Sequence, residues 1–175
     1  MIHECGVFGI YLNNPENDTD AARTTFYGLY ALQHRGQESS GLAVSDGRQI
    51  SLHKGMGLVT EVISAEHINR LKGNIAIGHV RYSTTGASLP VNAQPLVFHY
   101  LNGMMGVAHN GNLVNTVELR RRLATYGSVF QTTTDTEVVA NLLARYSQDL
   151  LEDALAKSMI DMKGAYALVI MSEDR

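Results

Sequence analysis

One cysteine, Cys5, stands close to the N-terminus, and loss of Met1 to Glu4 would make it the first residue. A free α-amine has a pKa of roughly 8 and can take the thiol proton, directly or through water. Such a nucleophile needs no histidine partner. The commoner fate of a lone cysteine is that of a small buried hydrophobe, and position alone favours it. Arg81 closes the run Gly78-His-Val-Arg81 and leads into Tyr82-Ser-Thr-Thr-Gly86. It reads either as a surface arginine or as a planar fork gripping a carboxylate at a loop mouth, with Ser83 to Gly86 folding over the ligand as a lid. His79 reads as a packed, satisfied side chain before it reads as a ligand contact.

Asn110-Gly111 is a favoured turn pair. The alternative is that the Asn110 amide and the Gly111 N–H face a cleft as oxyanion donors, where one donor is worth roughly 2.7–4 kcal/mol in the transition state. Thr133-Thr-Asp-Thr-Glu137 opens a helix. Asp135 is favoured there by the helix dipole, and it equally suits the counter-charge of an ammonium group. The 7 histidines form no HxxxH pair, so no metal site is assigned. Arg120-Arg-Arg122 reads as a solvated helix face, and the methionines read as core.

These residues need elements to hold them. With 175 residues, 45% hydrophobic and 18% charged, the chain suits one domain with a continuous core. Seventeen acids against 14 bases give a net charge of −3 without a basic stripe, so nucleic acid is not an expected partner. No apolar run approaches the roughly 18 residues of a membrane span, so no membrane association is expected. One cysteine cannot form an internal disulfide or by itself hold zinc or an iron–sulfur cluster, which points to a reducing, cytoplasmic setting.

Cys5 to Leu12 reads as a buried strand, and Ala22, Phe26, Leu29 and Leu32 recur at helical spacing. Strands flank Asp46-Gly47, a pair suited to a type I′ turn, and a second hairpin is expected about Asn102-Gly103. Residues 61–72 read as one helix. In residues 74–82, Ile75, Ile77, His79 and Arg81 alternate with Ala76, Gly78 and Val80, as in a strand. Asn115-x-x-Glu118, Thr134-x-x-Glu137 and Asp149-x-x-Glu152 resemble capping boxes opening three amphipathic helices. A strand from Ala165 to Met171 follows. Antiparallel hairpins between helical segments predict an α+β layered sandwich.

Taken in order, six segments are more specific than any one of them. They are Cys5-Gly-Val-Phe-Gly-Ile10, Leu32-Gln-His-Arg-Gly-Gln-Glu-Ser-Ser-Gly41, Gly78-His-Val-Arg-Tyr-Ser-Thr-Thr-Gly86, Asn92-Ala-Gln-Pro-Leu96, His109-Asn-Gly-Asn-Leu113 and Thr134-Asp-Thr-Glu137. Together they resemble the glutaminase domain of the N-terminal-nucleophile (class II) glutamine amidotransferases, and their wording is similar to the amidophosphoribosyltransferase branch. The resemblance implies an αββα sandwich of antiparallel sheets. It implies Cys5 as nucleophile, Asn110 and Gly111 as oxyanion hole, Arg81 on the glutamine α-carboxylate, Asp135 on its α-amine, and Thr84 in the loop closing over the ligand. L-glutamine would be hydrolysed to glutamate and ammonia. In whole enzymes of that branch the ammonia displaces pyrophosphate from phosphoribosyl pyrophosphate, the first committed step of purine biosynthesis.

Met1 to Glu4 resembles the family's removable pro-segment, leaving residues 5–175 as a glutaminase domain that is truncated and incomplete at its C-terminal end. The phosphoribosyltransferase domain, with its magnesium and phosphoribosyl pyrophosphate sites, is absent from this sequence. No cofactor is expected in this fragment. Some family members carry an iron–sulfur cluster, but this chain cannot supply its cysteines. An exposed sheet edge makes a homo-oligomer the expectation. The alternatives are the glutaminase domain of another class II amidotransferase, or an unprocessed fragment that only binds glutamine.

Overall fold

Side chains along a strand alternate between the two faces of its sheet, so the pattern at Ile75–Arg81 dictates two different neighbours. The computed structural model describes residues 5–82, 88–147 and 150–174. Its elements run β1 (Gly6–Tyr11), α1 (Asp20–Ala31), a 3₁₀ turn (Gln33–Arg35), β2 (Ser39–Ser45), β3 (Ile50–Met56), α2 (Val59–Val62), α3 (Ala65–Arg70) and β4 (Ile75–Arg81). They continue as β5 (Leu96–Tyr100), β6 (Gly103–Leu113), α4 (Thr116–Thr125), α5 (Thr136–Tyr146), α6 (Leu151–Asp161) and β7 (Gly164–Ser172). A four-stranded antiparallel sheet has the order β1-β4-β2-β3, and a three-stranded one the order β5-β6-β7.

Three apolar clusters define four layers. Ala76 and Val80 of β4, with Leu42 and Val44 of β2, pack against Ala21, Ala22 and Leu29 of α1 and Val59 and Val62 of α2. The opposite faces meet in a thinner layer of Ala43, Ile75 and Ile77 from the first sheet and Ala108 and Met171 from the second. Met105 and Val107 of β6 point outward to Leu119 and Leu123 of α4, Leu142 and Leu143 of α5, and Ala154 of α6. The result is the expected αββα sandwich. Full burial of a leucine such as Leu29 or Leu142 contributes about 1.5–3 kcal/mol each.

Several local expectations are corrected. The β2–β3 hairpin forms, but Ser45 pairs with Ile50, leaving a four-residue loop in place of a type I′ turn. Only Gly47 takes a positive φ there, and Asp46 Oδ1 accepts the N–H groups of Arg48 and Gln49 at 2.9 and 3.0 Å. The second turn is centred one residue earlier than expected, because Tyr100 pairs with Gly103 and leaves Leu101-Asn102 as the loop. Residues 61–72 split into α2 and α3 at Ile63, which is extended, and Ser64 Oγ accepts the His67 N–H to start α3. Helix α4 starts where expected, but Asn115 makes no side-chain cap. Its amide instead bonds Asp161 O and Lys163 N, tying α4 to the α6–β7 connection. Asp149 lies outside the described residues. Among the methionines, Met105 and Met171 are core, whereas Met159 is 52% exposed.

The arginine run is also more than a solvated face. Arg120 Nη2 donates to Thr132 O and Thr134 O, its guanidinium lies 4.4 Å from the Phe130 ring centroid, and Arg122 pairs with Asp161. Helix α1 approaches β4 most closely at Gly78, where a Cβ would lie 2.7 Å from Thr25 Cγ2 and 2.8 Å from Leu29 Cδ1. Both contacts are with buried residues, so the space cannot open without moving the helix. Gly78→Val is therefore expected to lower unfolding free energy by about 1–3 kcal/mol in urea melts. An unchanged midpoint would show that α1 does not sit hard on the strand.

Candidate active site

Antiparallel pairing of β1 with β4 sets Gly6 against Val80, which brings Cys5, just before β1, beside the end of β4. The Cys5 thiol donates to Tyr82 O and Sγ accepts the Tyr82 N–H, both at 3.4 Å. Among the described residues no side chain hydrogen-bonds this thiol. Arg35 Nε donates to Cys5 O at 3.2 Å and fixes the backbone from the other side. Burial pushes the thiol pKa up, against the opposing pull of the Tyr82 backbone and the Arg81 charge.

Arg81 is the last residue of β4 and only 3% of its side chain is exposed, so its charge needs a partner. Glu38 supplies one, pairing with Nη1 of the guanidinium. The pairing follows from local geometry. Ser39 is in register with Arg81, Glu38 N donates to Arg81 O at 3.1 Å, and Gly36 sits where a Cβ would be 2.6 Å from the Arg81 carbonyl carbon. Sequence reasoning passed over Glu38, although it lies within the Leu32 to Gly41 segment.

The second sheet supplies the opposite wall. At the end of β6, Gly111 has φ +145°, and a Cβ there would lie 2.3 Å from Ala165 O on β7. Glycine is required by that approach and by the backbone conformation alike. Asp135, at the start of α5, is 5% exposed and makes no side-chain cap. Its Oδ2 instead accepts the Leu113 N–H at 2.9 Å, and its Oδ1 faces His109 Nδ1 at 3.3 Å. Burial alone would raise the Asp135 carboxyl, but His109 and the Leu113 N–H outweigh it and hold the group below its ordinary value.

The loop leading to Asp135 is stitched in place. Glu137 accepts the N–H groups of Gln131 and Thr132, both at 2.7 Å, and Asn92 Nδ2 donates to Thr133 Oγ1 at 2.8 Å. Glu137 therefore closes back on the loop, where the sequence suggested a capping box with Thr134.

Cys5, Arg81, Tyr82, Gln94, His109, Gly111, Thr134 and Asp135 line one small cavity of about 20 Å³. Four of the expected site residues are thus neighbours although they come from both sheets and a helix. Asn110 is half-buried beside Gly111 on β6 but is not among the lining residues, and Thr84 and the segment Ser83 to Gly86 lie outside the described residues. The volume holds about one water, so an amino acid requires the lining to open. A larger cavity of about 340 Å³ shares none of these residues. Its charged groups are already engaged, Lys54 with Ala93 O and Pro95 O, and Glu137 with the loop before α5. Converging polar groups, not volume, place the candidate chemistry at Cys5.

Two antiparallel sheets face to face between helical layers give the α+β arrangement of the N-terminal-nucleophile hydrolase fold. A glutamine amidotransferase domain model matches residues 65–175, and the chain belongs to that family. It is similar to the amidophosphoribosyltransferase of Bacillus subtilis, 47% identical over 171 residues, covering 97% of this chain and 35% of the relative. The amidophosphoribosyltransferase of Methanocaldococcus jannaschii is 47% identical over 173 residues, covering 97% of this chain and 36% of the relative. The solved glutamine phosphoribosylpyrophosphate amidotransferase of B. subtilis, complexed with ADP and GMP, superposes with a TM-score of 0.84 at 46% identity, over 95% of this chain and 35% of that one. The chain thus spans about a third of the length of the curated relatives it matches. Among the described residues no helix is long and apolar enough to cross a membrane.

His79 is fully buried between the sheets, and its Nε2–H donates to His109 O at 3.0 Å. It is packed as expected but satisfied at one nitrogen only, since Nδ1 has no partner among the described residues. Burial first, and then the nearby charges, lowers its pKa from 6.5 to about 3. Between those values the unfolded chain binds the extra proton, so His79 makes stability fall as pH drops from 6.5 toward 3. His79→Gln retains a donor for His109 O and is expected to flatten that part of the stability–pH curve, read as melting temperature against pH. An unaltered slope would assign the acid sensitivity to other groups.

Proposed function

We propose that this chain is a glutaminase domain that hydrolyses L-glutamine to glutamate and ammonia through a thioester on Cys5. The observation that carries the reading is the meeting of Cys5, Arg81, Gly111 and Asp135 at one cavity. A thiol raised by burial, with backbone groups as its hydrogen-bond partners, needs a base at the moment of attack. The Cys5 α-amine is that base once Met1 to Glu4, the pro-segment, is removed. The amine takes the thiol proton and sulfur attacks the side-chain carboxamide carbon. Negative charge develops on the amide oxygen, where the Asn110 amide and Gly111 N–H stabilise it. The C–N bond then breaks, ammonia departs with the proton held by the amine, and water resolves the thioester to glutamate. Arg81 holds the α-carboxylate, Asp135 the α-ammonium, and Thr84 belongs to the segment that closes over the substrate.

The identity to amidophosphoribosyltransferases supports a place in purine biosynthesis, with ammonia passed to phosphoribosyl pyrophosphate to give 5-phosphoribosylamine. Phosphoribosyl pyrophosphate and magnesium belong, in this reading, to a transferase domain outside this sequence, and the glutaminase domain works without a cofactor. A cytoplasmic location and self-association go with the same reading. Intact mass paired with glutamate release tests it. Protein lacking Met1 to Glu4 is expected to release glutamate, and processed protein that binds glutamine without releasing glutamate would overturn hydrolysis. Cys5→Ala is expected to abolish release while keeping the fold. Arg81→Ala is expected to raise KM by about tenfold or more with a smaller effect on kcat, as loss of a charge-assisted contact to the substrate requires. Unchanged glutamine affinity in that variant would remove Arg81 from the carboxylate.

A further inference from the structure

We infer that His109 is the positioning residue that sets Asp135 for a substrate ammonium group, through the contact of its Nδ1 with the Asp135 carboxylate. The inference rests on the proposed pairing of Asp135 with the α-ammonium. His109 is 2% exposed, and its backbone is held by Gln94 Oε1 on its N–H and by His79 on its carbonyl. The side chain therefore has little freedom. Nδ1 lies 3.3 Å from Asp135 Oδ1 and 3.3 Å from Thr136 Oγ1.

A carboxylate only accepts hydrogen bonds, so in this assignment the ring proton sits on Nδ1, between Asp135 Oδ1 and Thr136 Oγ1. The other nitrogen, Nε2, is buried with no hydrogen-bond partner among the described residues. An apolar side chain would fill that space without the desolvation penalty of an unpaired ring nitrogen. What the imidazole adds is its Nδ1 side alone. With Leu113 N–H on Oδ2 and His109 on Oδ1, both Asp135 oxygens have a fixed direction, and the carboxylate cannot rotate away from the cavity it lines.

Substrate discrimination tests this directly. L-glutamine and 4-carbamoylbutanoate differ only in the α-amine, so the ratio of their affinities reads the Asp135 contact and little else. Isothermal titration on the Cys5→Ala background, free of turnover, is expected to give a clear preference for glutamine that Asp135→Asn removes. His109→Asn keeps an amide donor near the Nδ1 position and is expected to retain most of the preference. His109→Gln and His109→Leu lack a donor there and are expected to reduce it by about tenfold, with 4-carbamoylbutanoate affinity unchanged. Carrying both leaves one usable variant if the other does not melt cooperatively. Equal preference in His109→Asn and a folded donor-less variant would overturn the positioning role while leaving Asp135 in place. A preference that survives Asp135→Asn, or no glutamine binding on the Cys5→Ala background, would overturn the Asp135 assignment and this inference with it.

Discussion

The site is divided between two sheets, and apolar contact between sheets has no direction. Ile77 against Ala108 and Met171 gives cohesion but would tolerate sliding. Direction comes in part from a buried polar tie. His79 on β4 donates to His109 O on β6, and the Gln94 side chain brackets the same residue, accepting its N–H at 2.8 Å and approaching its carbonyl at 3.4 Å. Such a bond is strong in a low-dielectric interior and is lost if either sheet shifts. Since the first sheet carries Cys5 and Arg81 and the second leads to Gly111 and Asp135, the tie at His109 is one of the contacts that hold the cavity walls in register.

Each end of that cavity holds a charge that could not be buried alone. Arg81 is tolerable because Glu38 pairs with it, and Asp135 because His109 and the Leu113 N–H do. The two charges are opposite in sign, one at the end of β4 and one at the start of α5, which suits the carboxylate and ammonium of an α-amino acid. On the proposed reading a zwitterion would meet a guanidinium and a carboxylate whose own partners are already in place, once the lining has opened to admit it. Glu38 sets the orientation of the guanidinium and also opposes a second carboxylate nearby, and both effects act through the same contact.

What the sequence disclosed follows from how local the cause was. The two faces of β4, the hairpins and the starts of α4 and α5 are written in periodicities of a few residues, and all appear in the structure. Turn details were lost where a side chain competed with the backbone, as Asp46 does by accepting two N–H groups of its own loop. Asn115 and Asp135 stand at helix starts yet bond elsewhere, because Lys163, Asp161 and Leu113 become neighbours only when the layers close. For the same reason no role could be read for Glu38, Gln94 or Arg120 from their local surroundings. Their roles depend on partners 43, 15 and 14 residues away respectively. Cys5, Arg81, Asn110, Gly111 and Asp135 were assigned roles through family wording, where spacing alone left each with a simpler alternative.

The thiol's surroundings bear on why the nucleophile of this reaction would stand at a chain terminus. Burial works against the thiolate, and among the described residues the hydrogen-bond partners of Sγ are backbone groups that cannot accept and return a proton during a reaction. The one imidazole in the cavity lining, His109, directs its Nδ1 to Asp135. In the proposed mechanism the base comes from the nucleophile's own residue. While Met1 to Glu4 remain attached, the Cys5 nitrogen is an amide with no basic lone pair, and the site can be folded and yet inert. Cleavage at that point would turn the Cys5 nitrogen into a free amine. On the proposed reading, removal of Met1 to Glu4 would switch on the chemistry of a site whose walls come from two sheets already joined at His109.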